Sequence, residues 1–147
     1  MTHINKQLIP VTVSQIIQVT PKIKIFKLTH NKKGFTFSPG QWIDLYAPIS
    51  GKNIGGYTII SNPHTPDYIE LAIRESDHHP VTKFMHEKVI VGSLLHITEG
   101  QGRFFIPLDL ESEMYKLPLV FIAGGIGVTP AVPGLLACQP DLKLIVL

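Results

Sequence analysis

The sequence predicts a mainly β protein: a small antiparallel barrel or sandwich carrying one helix, followed by the opening of an α/β unit. Three observations predict this. From residue 11 to about 105, short alternating apolar segments are separated by Gly, Pro, Asn and Asp clusters. Within that region one stretch, Val81 to Lys88, switches to helical periodicity. From Leu119 onward the order becomes strand, glycine turn, short helix, strand.

Taken in order, Val11 to Gln18 alternates, with Val11, Val13 and one of Ile16 or Ile17 expected to face inward. Lys22 to Leu28 alternates almost without a break, as a half-buried antiparallel strand does. Asn31-Lys32-Lys33-Gly34 and Ser38-Pro39-Gly40 have turn composition. The second turn feeds a strand over Gln41 to Tyr46, whose Trp42 is expected in the barrel core. Gly55-Gly56 introduces Tyr57 to Ser61, Asn62 to Asp67 reads as a loop, and Tyr68 to Arg74 returns as a strand. After His79-Pro80, the residues Val81, Phe84, Met85 and Lys88 fall at i, i+3, i+4 and i+7, an apolar stripe closed by a lysine stem. Gly92-Ser93 turns the chain into Leu94 to Thr98. Residues 111–117 form a polar connection, taken as a domain boundary. Beyond it come a strand (119–123), a helix (about 129–138) and a buried strand (Leu142 to Leu147), which together need a parallel sheet.

The most informative run is Pro118 to Pro130, where an apolar strand enters Gly124, Gly125 and Gly127 and then Thr129-Pro130. Glycines there permit positive φ and the close approach of a ligand. A following helix offers free N–H groups and a positive dipole end to a phosphate or carboxylate. The spacing departs from G-x-G-x-x-G, so alone it is suggestive only. The alternative reading is that the glycines merely allow tight strand–helix packing.

Composition narrows the classes. In 147 residues, 44% are hydrophobic and 16% charged, enough to bury a core in one or two small domains. A net charge of +2 is too small to argue for nucleic acid. One cysteine, Cys138, cannot close an internal disulfide and is expected to pack in the short helix. No signal or transit segment and no membrane span is visible, so a cytoplasmic protein is the expectation. His78, His79 and His86 lack a second ligand cluster, so no metal is expected.

Four landmarks in order resemble the ferredoxin-NADP reductase superfamily: Phe37-Ser38-Pro39-Gly40-Gln41-Trp42, Tyr57-Thr58-Ile59-Ile60-Ser61, the helix start at Val81-Thr82, and the Gly124-to-Pro130 run. The chain most resembles the oxidoreductase NAD-binding-domain-containing branch. Two departures stand out: the family's arginine before the aromatic aligns with Gly55, and its glycine before the helix aligns with His79. The resemblance implies an antiparallel Greek-key FAD-binding barrel with one capping helix over 1–110. Over 111–147 it implies the first βαβ of an incomplete NAD(P)-binding α/β domain.

It also implies roles. Tyr57 would flank a flavin ring and meet the ribityl chain, Thr58 would bond near the ring edge, and the Ile59 backbone would serve the pyrimidine side. Pro80, Val81 and Thr82 would receive the pyrophosphate, with Ile73 and Arg74 beside them and Arg74 the substitute cation. Each has a plainer alternative: Tyr57 a strand aromatic, Thr82 a helix cap, Arg74 a solvated charge. Gly124, Gly125, Gly127, Val128 and Thr129 would carry the nicotinamide nucleotide, and Thr58 and Thr129 would stand at the point of transfer. The implied cofactor is FAD, with FMN second, and NAD(P)H is the implied substrate. The implied activity is a flavin-dependent oxidoreductase passing electrons to an unknown acceptor, such as a protein. An oligomer or partner covering the last strand's edge is a further expectation. Two alternatives stay open: a flavin-binding module without nicotinamide turnover, and a barrel relative binding another flavin-like ligand.

Overall fold

The computed structural model describes residues 8–51, 53–65, 67–104, 120–137 and 143–146. Six strands form one antiparallel sheet: β1 (Ile9–Thr20), β2 (Ile23–His30), β3 (Trp42–Tyr46), β4 (Ile54–Thr58), β5 (Tyr68–Arg74) and β6 (Leu94–Ile97). Their order is β4-β3-β6-β1-β2-β5. An antiparallel bridge from Ile59 to Leu71 brings the continuation of β4 onto β5, so the outer strands meet and the sheet curls into a barrel. The helix α1 (Pro80–Glu87) touches both β4 and β5.

Strand alternation fills the barrel. Val11, Val13, Phe26, Leu28, Ile43, Leu45, Leu71, Ile73, Leu95 and Ile97 are buried together, and α1 adds Val81 and Met85. In β1 an extra residue, Ser14, interrupts the pairing between Val13↔Leu28 and Gln15↔Lys27. That bulge shifts the alternation by one, so Ile16 packs on the core and Ile17 stays exposed. In β2 the adjacent apolar pair Ile25-Phe26 hides the true face: Phe26, Leu28 and His30 point inward, while Ile23 and Ile25 are half-buried.

The helical stripe is present, with Val81, Thr82 and Met85 buried and Phe84 packed against the core. Lys88 is an exposed C-cap whose N–H donates to the Phe84 carbonyl at 2.9 Å, not the end of the stripe. The tail of α1 is pinned twice. Lys24 Nζ donates to the His86 carbonyl at 2.8 Å, and His86 Nε2–H donates to the Ile73 carbonyl at 2.9 Å. The helix start has no side-chain cap.

After the barrel, β7 (Val120–Ala123) and β8 (Lys143–Val146) pair in parallel. The helix expected over about 129–138 is present as the shorter α2, Val132–Ala137, and the glycine run before it forms a 3-10 turn, Gly125–Val128. Pro130 and Pro133 have no N–H to give, which removes rungs a continuous helix would need. The expected boundary at 111–117 and Cys138 lie outside the described residues. No helix among the described residues is long and apolar enough to cross a membrane.

Candidate functional site

Strand β4 sets the first part of the site. It pairs with β3 as Trp42↔Thr58, Ile43↔Tyr57 and Leu45↔Gly55, so Tyr57 and Gly55 share the core-facing side and Thr58 shares the outer side with Trp42. The Tyr57 ring lies back over Gly55: a Cβ at that position would be 2.7 Å from the Tyr57 hydroxyl. The hydroxyl is sealed in this position with no hydrogen-bond partner, and burial pushes the phenol up to about 12. Thr58 is half-buried, and its hydroxyl makes no hydrogen bond among the described residues.

Trp42 corrects the sequence expectation. It is 37% exposed rather than in the core, because Ile43 and Leu45 take the inward positions of β3. Its indole rests between Gly56 and Gly102. Ile59 is fully buried and its N–H donates to the Gln41 carbonyl at 3.1 Å, so that amide is already committed.

The second part is the approach to α1. Ile73 is buried, and its carbonyl already accepts from His86. Arg74 is exposed at the end of β5 and makes no ion pair among the described residues. Pro80 occupies the first helical turn, which leaves the amides of Val81 and Thr82 to an outside acceptor. The Thr82 hydroxyl is spent locally: it donates toward the Ser76 and His79 carbonyls (3.2 and 2.9 Å) and accepts from the Ser76 N–H at 3.2 Å. It staples the 76–79 turn. His79 Nδ1 is buried without a partner.

The third part is the glycine turn. Gly124 is extended and Gly125 takes φ 53°, a left-handed value that suits glycine. Among the described residues, a Cβ at Gly125 or Gly127 would meet nothing within 4 Å. The Gly127 and Thr129 amides donate to the Gly124 and Ile126 carbonyls, at 3.0 and 3.2 Å. The Thr129 hydroxyl also bonds the Ile126 carbonyl (3.1 Å) instead of capping α2, and Val128 is half-buried beside it. The turn touches β5, the strand that also touches β4 and α1. All three parts therefore gather around β5.

Residues 10–106 match the oxidoreductase FAD-binding domain family. The chain belongs to that family. It is a flavin-binding oxidoreductase domain of the ferredoxin-reductase type. It is 34% identical over 124 residues to oxidoreductase NAD-binding domain-containing protein 1 of Xenopus laevis, covering 82% of this chain and 38% of that protein. The chain thus spans well under half the length of this relative. Among solved structures, a cytochrome P450 reductase of Amycolatopsis superposes with a TM-score of 0.79 at 21% identity, over 95% of this chain and 42% of that one. Phthalate dioxygenase reductase gives 0.72 at 15% identity, over 95% of this chain and 43% of that one. At such identities these two structures speak for the fold alone.

For a member of this FAD-binding family, two features of the site escaped sequence reasoning. Gly55 looked like a missing arginine, whereas it is the floor under the Tyr57 ring. Gly102, with φ 104°, closes on Trp42; the composition of Glu99-Gly100-Gln101-Gly102 marks a turn there, but nothing in it marks the contact.

Proposed function

We propose that residues 1–110 hold a flavin, FAD in the first place, and that residues 111–147 begin a nicotinamide-nucleotide unit whose glycine turn presents NAD(P)H to it. A flavin bound there supplies the ability to take a hydride and release electrons singly to an acceptor. Thr58, whose hydroxyl makes no hydrogen bond among the described residues, would bond a polar ring edge. The Val81 and Thr82 amides and Arg74 are the groups left to meet phosphate. The open space at Gly125 and Gly127 allows a nucleotide to approach the backbone.

The observation that carries this reading is the convergence on β5 of β4, α1 and the glycine turn. The solved phthalate dioxygenase reductase is described as transferring electrons from pyridine nucleotides to a [2Fe-2S] centre, and transfer of that kind is the activity proposed here for the protein containing this domain. The test is to purify the chain, incubate it with FAD or FMN, and add NADH or NADPH without oxygen. A yellow complex that bleaches supports the proposal. A chain that stays colourless overturns it.

A second reading, a flavin-binding module without nicotinamide turnover, draws on the Thr129 hydroxyl being committed to the Ile126 carbonyl. It expects a yellow complex that neither NADH nor NADPH bleaches.

A further inference from the structure

The end of β2 holds a group that the proposed flavin chemistry does not use. His30 points into the barrel and is 9% exposed, yet neither ring nitrogen has a partner among the described residues. An imidazolium there would be a buried charge without a hydrogen bond. Its cover is the ring of Phe35, tilted against the imidazole with centroids 4.6 Å apart, and Phe35 leans in turn on Phe37 at 6.3 Å. Both phenylalanines are buried. Yet among the described residues no backbone hydrogen bond ties their segment, 31–37, to the barrel. Apolar packing and the ion pair of Lys32 with Glu99 hold it in place. Beside it lies a cavity of about 510 Å³, walled by residues 34–38, Gln41 and Glu99-Gly100. The charges that face His30 are Asp67, ahead of β5, and Lys32, in the segment itself; β1 sets the uncharged Val11 opposite it.

We propose that residues 31–37 form an acid-sensitive strap across this end of the barrel: protonation of His30 expels the Phe35 ring and releases the strap, while the six strands stay paired. Covered, the imidazole is held neutral by burial, which outweighs the pull of Asp67. Uncovered, it meets water and takes a proton near its ordinary value of about 6.5. Below that pH the released form binds more protons, so acid favours it, by a factor approaching about tenfold at about pH 5.5. The strap runs directly toward the candidate site. Ser38 and Gln41 exchange two hydrogen bonds, of 3.0 and 2.8 Å, and the Gln41 carbonyl takes the Ile59 amide next to Thr58.

The test is hydroxyl-radical labelling of the 147-residue chain at about pH 7.5 and about pH 5.5, on either side of the histidine value, read at each residue by mass spectrometry. Phe104, 70% exposed, calibrates the dose, and Phe26, fully buried in the same barrel, reports unfolding of the whole. The proposal expects Phe35 labelling to rise about threefold or more on acidification while Phe26 is unchanged, and expects no rise in His30→Leu. Should that variant not fold, His30→Gln, uncharged at either pH, takes its place. No rise at Phe35 in the parent chain, or Phe35 and Phe26 rising together, overturns the strap without any variant. A rise that survives the loss of His30 assigns the release to another group, such as the Lys32–Glu99 pair, and overturns it too. The flavin reading is untouched by every one of these outcomes, since no flavin is added.

Discussion

The indole of Trp42 closes directly on Gly102, where a Cβ would stand 2.6 Å from Nε1 and 2.8 Å from Cδ1. Gly102 also holds φ 104°, outside the range a side chain adopts comfortably. Gly102→Ala therefore faces backbone strain and a clash together, and is expected to cost about 1–3 kcal/mol. Denaturant unfolding measures the loss, and a shift of tryptophan emission reports the displaced ring, since the chain has one Trp. An unchanged midpoint and spectrum would show that the contact is not made.

Tyr57→Phe keeps the ring over Gly55 and deletes a buried hydroxyl that has no partner. Relief of that desolvation is expected to raise the stability of the flavin-free chain by about 1 kcal/mol. If the hydroxyl pairs with a bound flavin, the same substitution weakens flavin binding. Unfolding with and without added FAD separates the two effects. Equal stabilisation of both proteins by FAD would remove the hydroxyl from the site.

Gly127→Ala places a methyl where nothing stands within 4 Å, at a position without positive φ. Its stability should stay within about 0.5 kcal/mol of the parent. If a nicotinamide nucleotide passes this turn, the apparent KM for NADH or NADPH rises several-fold while flavin affinity holds. An unaltered KM would mean that the nucleotide takes another path.

His30 gives the pH dependence. It is 9% exposed, tilted against Phe35 with ring centroids 4.6 Å apart, and neither ring nitrogen has a partner among the described residues. Burial holds it below the usual histidine value; the Asp67 charge opposes this and the Lys32 charge reinforces it. The neutral form is thus favoured by folding, and below about pH 6.5 the unfolded chain binds more protons than the folded one. Stability contributed by neutral His30 is complete above that pH and falls as the solution is acidified. His30→Leu should flatten this acid limb, as read by midpoints between about pH 7 and 5. A slope that survives the substitution would assign the effect elsewhere.

The barrel and the succession of its strands along the chain were legible because alternation and turn residues are local signals. What misled was parity. Ile25-Phe26 offers two apolar faces, and only pairing with β5 at Phe26↔Leu71 selects one. Trp42 reads as core by size, yet its neighbours Ile43 and Leu45 own the inward positions. The candidate site was legible as a set of segments, since Tyr57, Thr82 and the glycine run each sit on elements that touch β5 or one another. Its chemistry was not: that Thr82 and Thr129 spend their hydroxyls on nearby carbonyls depends on turn geometry no spacing encodes.

The asymmetry of α1 has its own consequence. Hydrogen bonds from Lys24 and to Ile73 fasten the tail of the helix, while the leading turn is held by the Thr82 staple and by the burial of Val81 in the barrel core. Amide exchange should be slowest at the tethered tail and quicken toward Val81. A helix mounted this way is fastened by polar bonds at its tail and by apolar packing at its tip, so its two ends answer to different forces.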